Sequence, residues 1–219
     1  MLNETWKKLQ NGSDIRGVAM EGVEGQPVNL TPEIAKQIAC SFGAWLSERT
    51  GKLLSELTVA VGNDSRLSAG ELNGAVTQGL SMLGITVVDC GLCSTPAMFM
   101  TTVMEGYRYD GSVMLTASHL PFNRNGLKFF TKDGGLEKSD ITAILELAQE
   151  KIYTKAGKPG AIKSLDFIQV YAADLVRKIR NKTGEERPLE GFRILVDAGN
   201  GAGGFYADQV LKPLGACTE

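Results

Sequence analysis

Three side chains able to move a phosphoryl or acyl group and a proton crowd into one short segment, Thr116-Ala-Ser-His-Leu-Pro-Phe-Asn-Arg-Asn-Gly-Leu-Lys128. Ser118 offers a hydroxyl nucleophile. His119, the only histidine of the 219 residues, offers a titratable imidazole, and Lys128 a fixed positive charge. A covalent carrier needs that set: a nucleophile, a group that takes or gives its proton, and a cation facing the anion that forms. The flanking runs Ser112–Thr116 and Leu127–Thr131 read as strands, and Pro121 and Asn125-Gly126 between them read as turn formers. Ser118 is therefore expected just past a strand end, where open α/β sheets bind ligands. Pro121 restricts Leu120 to extended geometry and stiffens the loop. In a strand of period two, Leu127 and Phe129 share one face and Lys128 points to the other.

The rest of the chain supplies the elements that hold this loop. Thr31-Pro32-Glu33 reads as a helix start, and Ile34, Ile38, Phe42, Trp45 and Leu46 follow at helical spacing up to Gly51. Leu57–Val61 and Ile85–Asp89 read as buried strands. Helices are predicted over 69–83, ended by Gly84, and over 96–105, ended by Gly106. Ser139-Asp140 is expected to cap a helix carrying Ile141, Ile144, Leu145 and Ala148. Strands alternating with helices predict an α/β layer fold: a mixed, mostly parallel sheet sandwiched by helices. Tyr153–Gly160, with two glycines, a proline and two lysines, is the expected linker. Beyond it come a helix over 165–180, a strand over 192–197, a glycine-rich turn and a helix start. The expected division is a first domain over 1–155 and the opening of a second over 160–219.

Bulk properties exclude several classes. A composition 43% hydrophobic and 22% charged suits a globular enzyme, and a net charge of −2 recommends neither nucleic acid nor an anionic membrane as partner. No apolar run is long enough for a transmembrane helix, and the N-terminus lacks a secretory h-region. Four cysteines, at 40, 90, 93 and 217, make no disulfide framework, so a reducing cytoplasm is the expected location, with an organelle as the alternative.

Two weaker motifs carry their own readings. Gly199-Asn-Gly201-Ala-Gly-Gly204 matches a dinucleotide fingerprint between a strand and a helix, and so offers a nucleotide-dependent oxidoreductase as an alternative. The plainer reading is a tight turn that needs glycine. Cys90-Gly-Leu-Cys93 could be a redox pair or half a zinc site, or simply two small core residues.

The serine segment resembles the phosphoserine loop of the α-D-phosphohexomutases, Thr-Ala-Ser-His-Asn-Pro followed by Asn-Gly-x-Lys. Here it stands as Thr116-Ala117-Ser118-His119-Leu120-Pro121, then Asn125-Gly126-Leu127-Lys128, with Leu120 in place of the family's asparagine. Gly12-Ser-Asp-Ile-Arg16-Gly17, Gly62-Asn-Asp-Ser-Arg66-Leu-Ser68, Gly91-Leu-Cys-Ser-Thr95-Pro96 and Val196-Asp-Ala-Gly-Asn-Gly201 resemble further family segments in the same order. The resemblance implies transfer of phosphate between C1 and C6 of a hexose or hexosamine phosphate, through a phosphoserine at Ser118 and a hexose 1,6-bisphosphate intermediate. It implies Lys128 and His119 as acid–base groups, and Arg16, Arg66 and Asn125 as phosphate-binding or loop-bracing residues. Mg²⁺ would be bound by a phosphoryl oxygen on Ser118 and by aspartates of a loop that these residues do not contain. The implied partners are a small sugar phosphate and the remaining domains of the same protein. The chain is thus expected to be an N-terminal portion, without turnover on its own. A non-catalytic relative acting as a binding module is the other alternative.

Overall fold

Apolar residues recur every second position in the strands and every three to four in the helices, and these two periods order the molecule into layers. The computed structural model describes residues 1–219. Its helices and strands run α1 (Glu4–Lys7), β1 (Gln10–Asn11), β2 (Asp14–Val18), α2 (Pro32–Thr50), β3 (Thr58–Asn63), α3 (Ala69–Met82), β4 (Thr86–Leu92), α4 (Thr95–Val103), β5 (Gly111–Leu115), β6 (Arg124–Thr131), β7 (Gly134–Gly135), α5 (Lys138–Glu150), β8 (Ile162–Ser164), α6 (Phe167–Thr183), β9 (Arg193–Ile194) and β10 (Cys217–Thr218).

One sheet, in the order β1-β2-β6-β5-β3-β4-β8 with β7 on β6, forms the middle layer. Strands β5, β3, β4 and β8 run parallel, while β1, β2 and β6 pair antiparallel. This is the mixed α/β sandwich expected from the sequence. Val59, Val61, Val113, Leu115, Leu127 and Phe129 face the larger core, beneath α2, α3 and α5. Ala60, Val88, Met114 and Phe130 face the other, beneath α4 and α6. Burying a side chain such as Leu127 or Phe129 is worth about 1.5–3 kcal/mol. A one-residue slip of β6 would turn both outward and drive Lys128 into the larger core, so the register is set by the apolar pattern.

Local signals explain most helix ends. The Thr31 side chain accepts from the Ile34 N–H at 3.2 Å, Pro32 takes the first helical position, and Gly51 ends α2 in the left-handed region at φ 69°. At α5 the expected cap is corrected. The helix begins at Lys138, and Asp140 reaches back one turn to accept from the Glu137 N–H at 2.9 Å. It is the third-position member of a capping box and not the cap itself.

Asn125-Gly126 is likewise not a turn. Both residues lie inside β6, with Arg16 opposite Gly126 and Gly17 opposite Asn125. The glycine answers a steric demand. A Cβ at position 126 would stand 2.3 Å from the Ile15 carbonyl oxygen and 2.9 Å from that of Thr116. β2 can therefore come this close, and lay Arg16 over the strand, only where no side chain intervenes.

Tyr153–Gly160 lies against the end of α3: the Gly160 N–H donates to the Ser81 carbonyl at 2.8 Å, and the Ser81 hydroxyl to the Gly160 carbonyl at 2.7 Å. β8 then extends the sheet beside β4. α6 packs one face on the smaller core and offers Ala172 and Val176 to Val210 and Leu214. The strand expected over 192–197 is shorter, Arg193–Ile194, paired in parallel with β10. After it come a glycine turn, a 3-10 turn over Ala202–Gly204 and a π turn over Ala207–Leu211, without the regular helix that the dinucleotide fingerprint requires.

Replacing Gly126 by alanine should cost about 3 kcal/mol of unfolding free energy, the upper end for overpacking. Urea denaturation measures it. A midpoint like that of the wild type would mean that β2 and β6 do not approach as described.

Candidate active site

The carboxyl ends of the parallel strands open onto a cleft of about 710 Å³. The β3–α3 connection lines it with Asp64, Ser65, Arg66 and Leu67, and the β4–α4 connection with Cys93, Ser94 and Thr95. The β5–β6 connection adds Thr116, Ser118, Leu120 and Phe122. Ser118 therefore stands where a parallel α/β sheet places its ligands, as the sequence predicts. It is exposed, with a φ of 55°. A left-handed backbone costs a non-glycine residue about 1–2 kcal/mol and persists only when its surroundings impose it.

Those surroundings are supplied chiefly by Arg66. One terminal nitrogen donates to the carbonyls of Pro121 at 2.9 Å and Arg124 at 3.0 Å. The other donates to those of Ser118 at 2.6 Å and Leu120 at 2.8 Å. A planar fork of donors can satisfy four main-chain acceptors at once, which a lysine ammonium cannot. Asp64 completes the brace. Its Oδ1 accepts from the Arg66 N–H at 3.1 Å, and its Oδ2 from the Thr116 hydroxyl at 2.7 Å. Thr116 Oγ1 in turn accepts from the Ser118 N–H at 3.0 Å. Ser118 is thus fixed from both sides, by its N–H and by its carbonyl. Leu120, the departure from the family motif, contributes through its main chain: its carbonyl meets Arg66, and its N–H donates to Ala117 at 3.1 Å.

The remaining candidates fall into two groups. Arg16, on β2, donates to the Ala117 carbonyl at 3.1 Å and pairs with Asp14 at 3.1 Å. Lys128 projects to the face opposite Leu127 and Phe129, as the alternation requires, and its ammonium meets Asp14 Oδ1 at 2.7 Å. Asn125 is buried and donates to Ser68 Oγ at 2.9 Å, tying β6 to the start of α3. It is a brace that touches nothing in the cleft. His119 is exposed, its Nδ1 3.4 Å from Ser118 Oγ. Two acids, Asp14 and Asp64, escaped the sequence reading. The signal available for Asp14 was strand alternation, which puts Asp14 and Arg16 on one face with Ile15 on the other. For Asp64 it was its place two residues before Arg66 in the Gly62–Ser68 segment, where an aspartate can accept from the main chain two residues on.

The two weaker motifs resolve physically. Gly199, Asn200, Gly201 and Ala202 line the same cleft as Ser118, with Gly199 and Asn200 both left-handed at φ 53° and 58°. Cys90 and Cys93 are free, buried thiols. Burial pushes Cys93 up to about 12 and Cys40 up to about 11. Cys90 is raised as well, by burial first and then by the neighbouring Cys93 and Asp89. Thiols held protonated at neutral pH are poor nucleophiles and poor metal ligands, so core packing describes this pair better than redox chemistry.

The sheet, its helix layers and the caged loop define an α/β/α domain built to present one serine hydroxyl at the mouth of a cleft. The chain belongs to the phosphoglucomutase/phosphomannomutase family: that family's alpha/beta/alpha domain I matches residues 7–155. It is 32% identical to a phosphoglucosamine mutase of Nautilia profundicola over 200 residues, covering 90% of this chain and 43% of the relative. It is also 32% identical to a phosphoglucomutase/phosphomannomutase of Thermococcus kodakarensis, covering 95% and 43%. A solved phosphoglucomutase/phosphomannomutase family protein of Burkholderia thailandensis superposes with a TM-score of 0.78 at 26% identity, covering 100% of this chain and 44% of the other. The chain spans less than half the length of the relatives it matches.

Two outcomes follow from the geometry. Arg66→Ala should lower stability by about 1–3 kcal/mol, because four partly exposed main-chain carbonyls lose a charged donor. It should also expose residues 118–124 to limited proteolysis, and Arg66→Lys should restore only part of either property. An Arg66→Ala protein that melts like wild type with a protected loop would contradict the brace. Separately, iodoacetamide at pH 8 should modify Cys217, the one exposed cysteine, and spare Cys40, Cys90 and Cys93 until denaturant is added. Peptide mass spectrometry reads this, and rapid native labelling of Cys90 or Cys93 would contradict their burial.

Proposed function

We propose that Ser118 is the phosphoryl carrier of a phosphohexomutase, and that the protein of which this chain is part interconverts hexose or hexosamine 1-phosphate and 6-phosphate through a 1,6-bisphosphate. The observation that carries the reading is the exposed Ser118 hydroxyl, held in a left-handed backbone by Arg66 at the ends of parallel strands. Relatives named for phosphoglucosamine and for phosphoglucose and phosphomannose stand at the same identity, which supports the wider substrate class.

In the forward step the bond between phosphorus and Ser118 Oγ breaks while one forms to the free sugar hydroxyl. The proton of that hydroxyl leaves, and the serine oxygen regains one. The bisphosphate then turns over and returns its other phosphoryl group to Ser118. Phosphoserine carries close to two negative charges at neutral pH, and the cations proposed to face it are Arg16, which touches the loop at the Ala117 carbonyl, and Lys128, which shares Asp14 with Arg16. Lys128 is the leading proton carrier, and His119, adjacent to Ser118 Oγ, is the second. For Mg²⁺ the donor set of this chain does not suffice: no group of three His, Cys, Asp or Glu side chains could hold a metal ion. The proposal therefore assigns its ligands, apart from a phosphoryl oxygen on Ser118, to parts of the protein outside these residues. No helix is long and apolar enough to cross a membrane, and the enzyme is proposed to act in the cytoplasm on a small sugar phosphate.

Mass spectrometry of the full-length protein should find phosphate on Ser118 and none there in Ser118→Ala. Turnover of glucose 1-phosphate should fall by ~10³-fold or more in that variant, as loss of a covalent nucleophile entails. Phosphate on another residue, with Ser118→Ala fully active, would overturn the assignment.

A further inference from the structure

The two cations offered to the phosphoryl group share one anion. Register places Ile15 opposite Leu127 in the antiparallel β2–β6 pair, and by extension Asp14 falls opposite Lys128. Alternation then sends Asp14, Arg16 and Lys128 to one face of the sheet, and Ile15 and Leu127 into the larger core on the other. The Asp14 side chain is 11% exposed, and each of its oxygens holds a different cation: Oδ1 takes Lys128 Nζ at 2.7 Å, Oδ2 takes Arg16 at 3.1 Å. Arg16 is anchored at its far end to the Ala117 carbonyl, next to Ser118. Lys128 lies beside its cross-strand partner Met114, which lines the cleft.

We propose that Asp14 is the positioning residue of this site: its carboxylate sets the Lys128 ammonium and the Arg16 guanidinium side by side against the Ser118 loop. The trio carries two positive charges and one negative, leaving a surplus of one for an incoming phosphoryl group. A purely structural role fits the details less well. Buried ion pairs are weak stabilisers, and an apolar cross-strand pair would hold β2 on β6 at least as firmly. Without its carboxylate, Lys128 could swing on its flexible stem and the two like charges would repel.

The catalytic half of this proposal rests on the mutase reading; the positional half does not, and the test separates them. In the 219-residue chain, brief treatment with acetic anhydride followed by peptide mass spectrometry gives the acetylation rate of Lys128 relative to exposed Lys132. Asp14→Asn should raise that ratio by roughly 3–10-fold, since a neutral amide no longer pins the ammonium against β2 and the freed side chain reaches solvent and reagent. Asp14→Glu should return it toward wild type at a comparable melting temperature. In the full-length enzyme, Asp14→Asn should lower kcat ~10–100-fold while KM stays within about twofold, the pattern of an interaction realised in the transition state. An unchanged labelling ratio in Asp14→Asn overturns the proposal, as does unchanged kcat in an active enzyme whose Lys128 has been freed. A wild-type protein inactive on hexose phosphates would instead overturn the mutase reading, and the labelling ratio would still decide whether Asp14 holds Lys128.

Discussion

The carbonyl oxygens of Ser118, Leu120, Pro121 and Arg124 converge on one point, and a single guanidinium meets all four. A hydrogen bond from a charged donor contributes about 1.5–3 kcal/mol, less where water reaches it. The loop can hold its compact path, with Ser118 left-handed and its hydroxyl outward, only because Arg66 is there. Arg66 is there because Asp64, at the end of β3, accepts from its main chain and faces its side chain. The same carboxylate orients Thr116, whose oxygen receives the Ser118 N–H. Two adjacent strand ends thus converge on one peptide, and the parallel β3–β5 pairing brings them together.

Electrostatics around the loop follow one rule. Each cation near Ser118 has an acid at hand, Asp64 for Arg66 and Asp14 for Arg16 and Lys128. Arg66 gives both terminal nitrogens to four carbonyls, which commits its charge to shape. Arg16 and Lys128 share one carboxylate and leave charge to spare. Arg66 comes from the β3–α3 connection and cages the loop, whereas Arg16 and Lys128 come from β2 and β6 and meet on Asp14.

Much of this was legible along the chain because it obeys local rules. The two-residue period in 57–61, 112–116 and 127–131 located strands and the faces they bury. Thr31-Pro32 and Gly51 located the ends of α2. Ser118, Lys128, Arg16 and Arg66 were recognisable from residue types and a family pattern. What misled was context. Asn125-Gly126 has the local chemistry of a turn, yet the approach of β2, from more than a hundred residues earlier, needs a glycine in a strand. The dinucleotide pattern at Gly199–Gly204 has the right spacing, yet no regular helix follows it.

By itself the sequence determined which segments form strands and helices, which faces are apolar, and that one serine stands at the end of a strand among cationic residues. Those properties arise from neighbours within a few positions, where backbone preference and side-chain periodicity act. Only the tertiary structure decided what each charge does. Whether an arginine braces carbonyls or waits for phosphate, and whether Asp14 and Asp64 belong to the site at all, depends on distances across strands far apart in the chain. Hydrogen bonds and ion pairs act over a few ångströms in space, and nothing in their separation along the sequence records that.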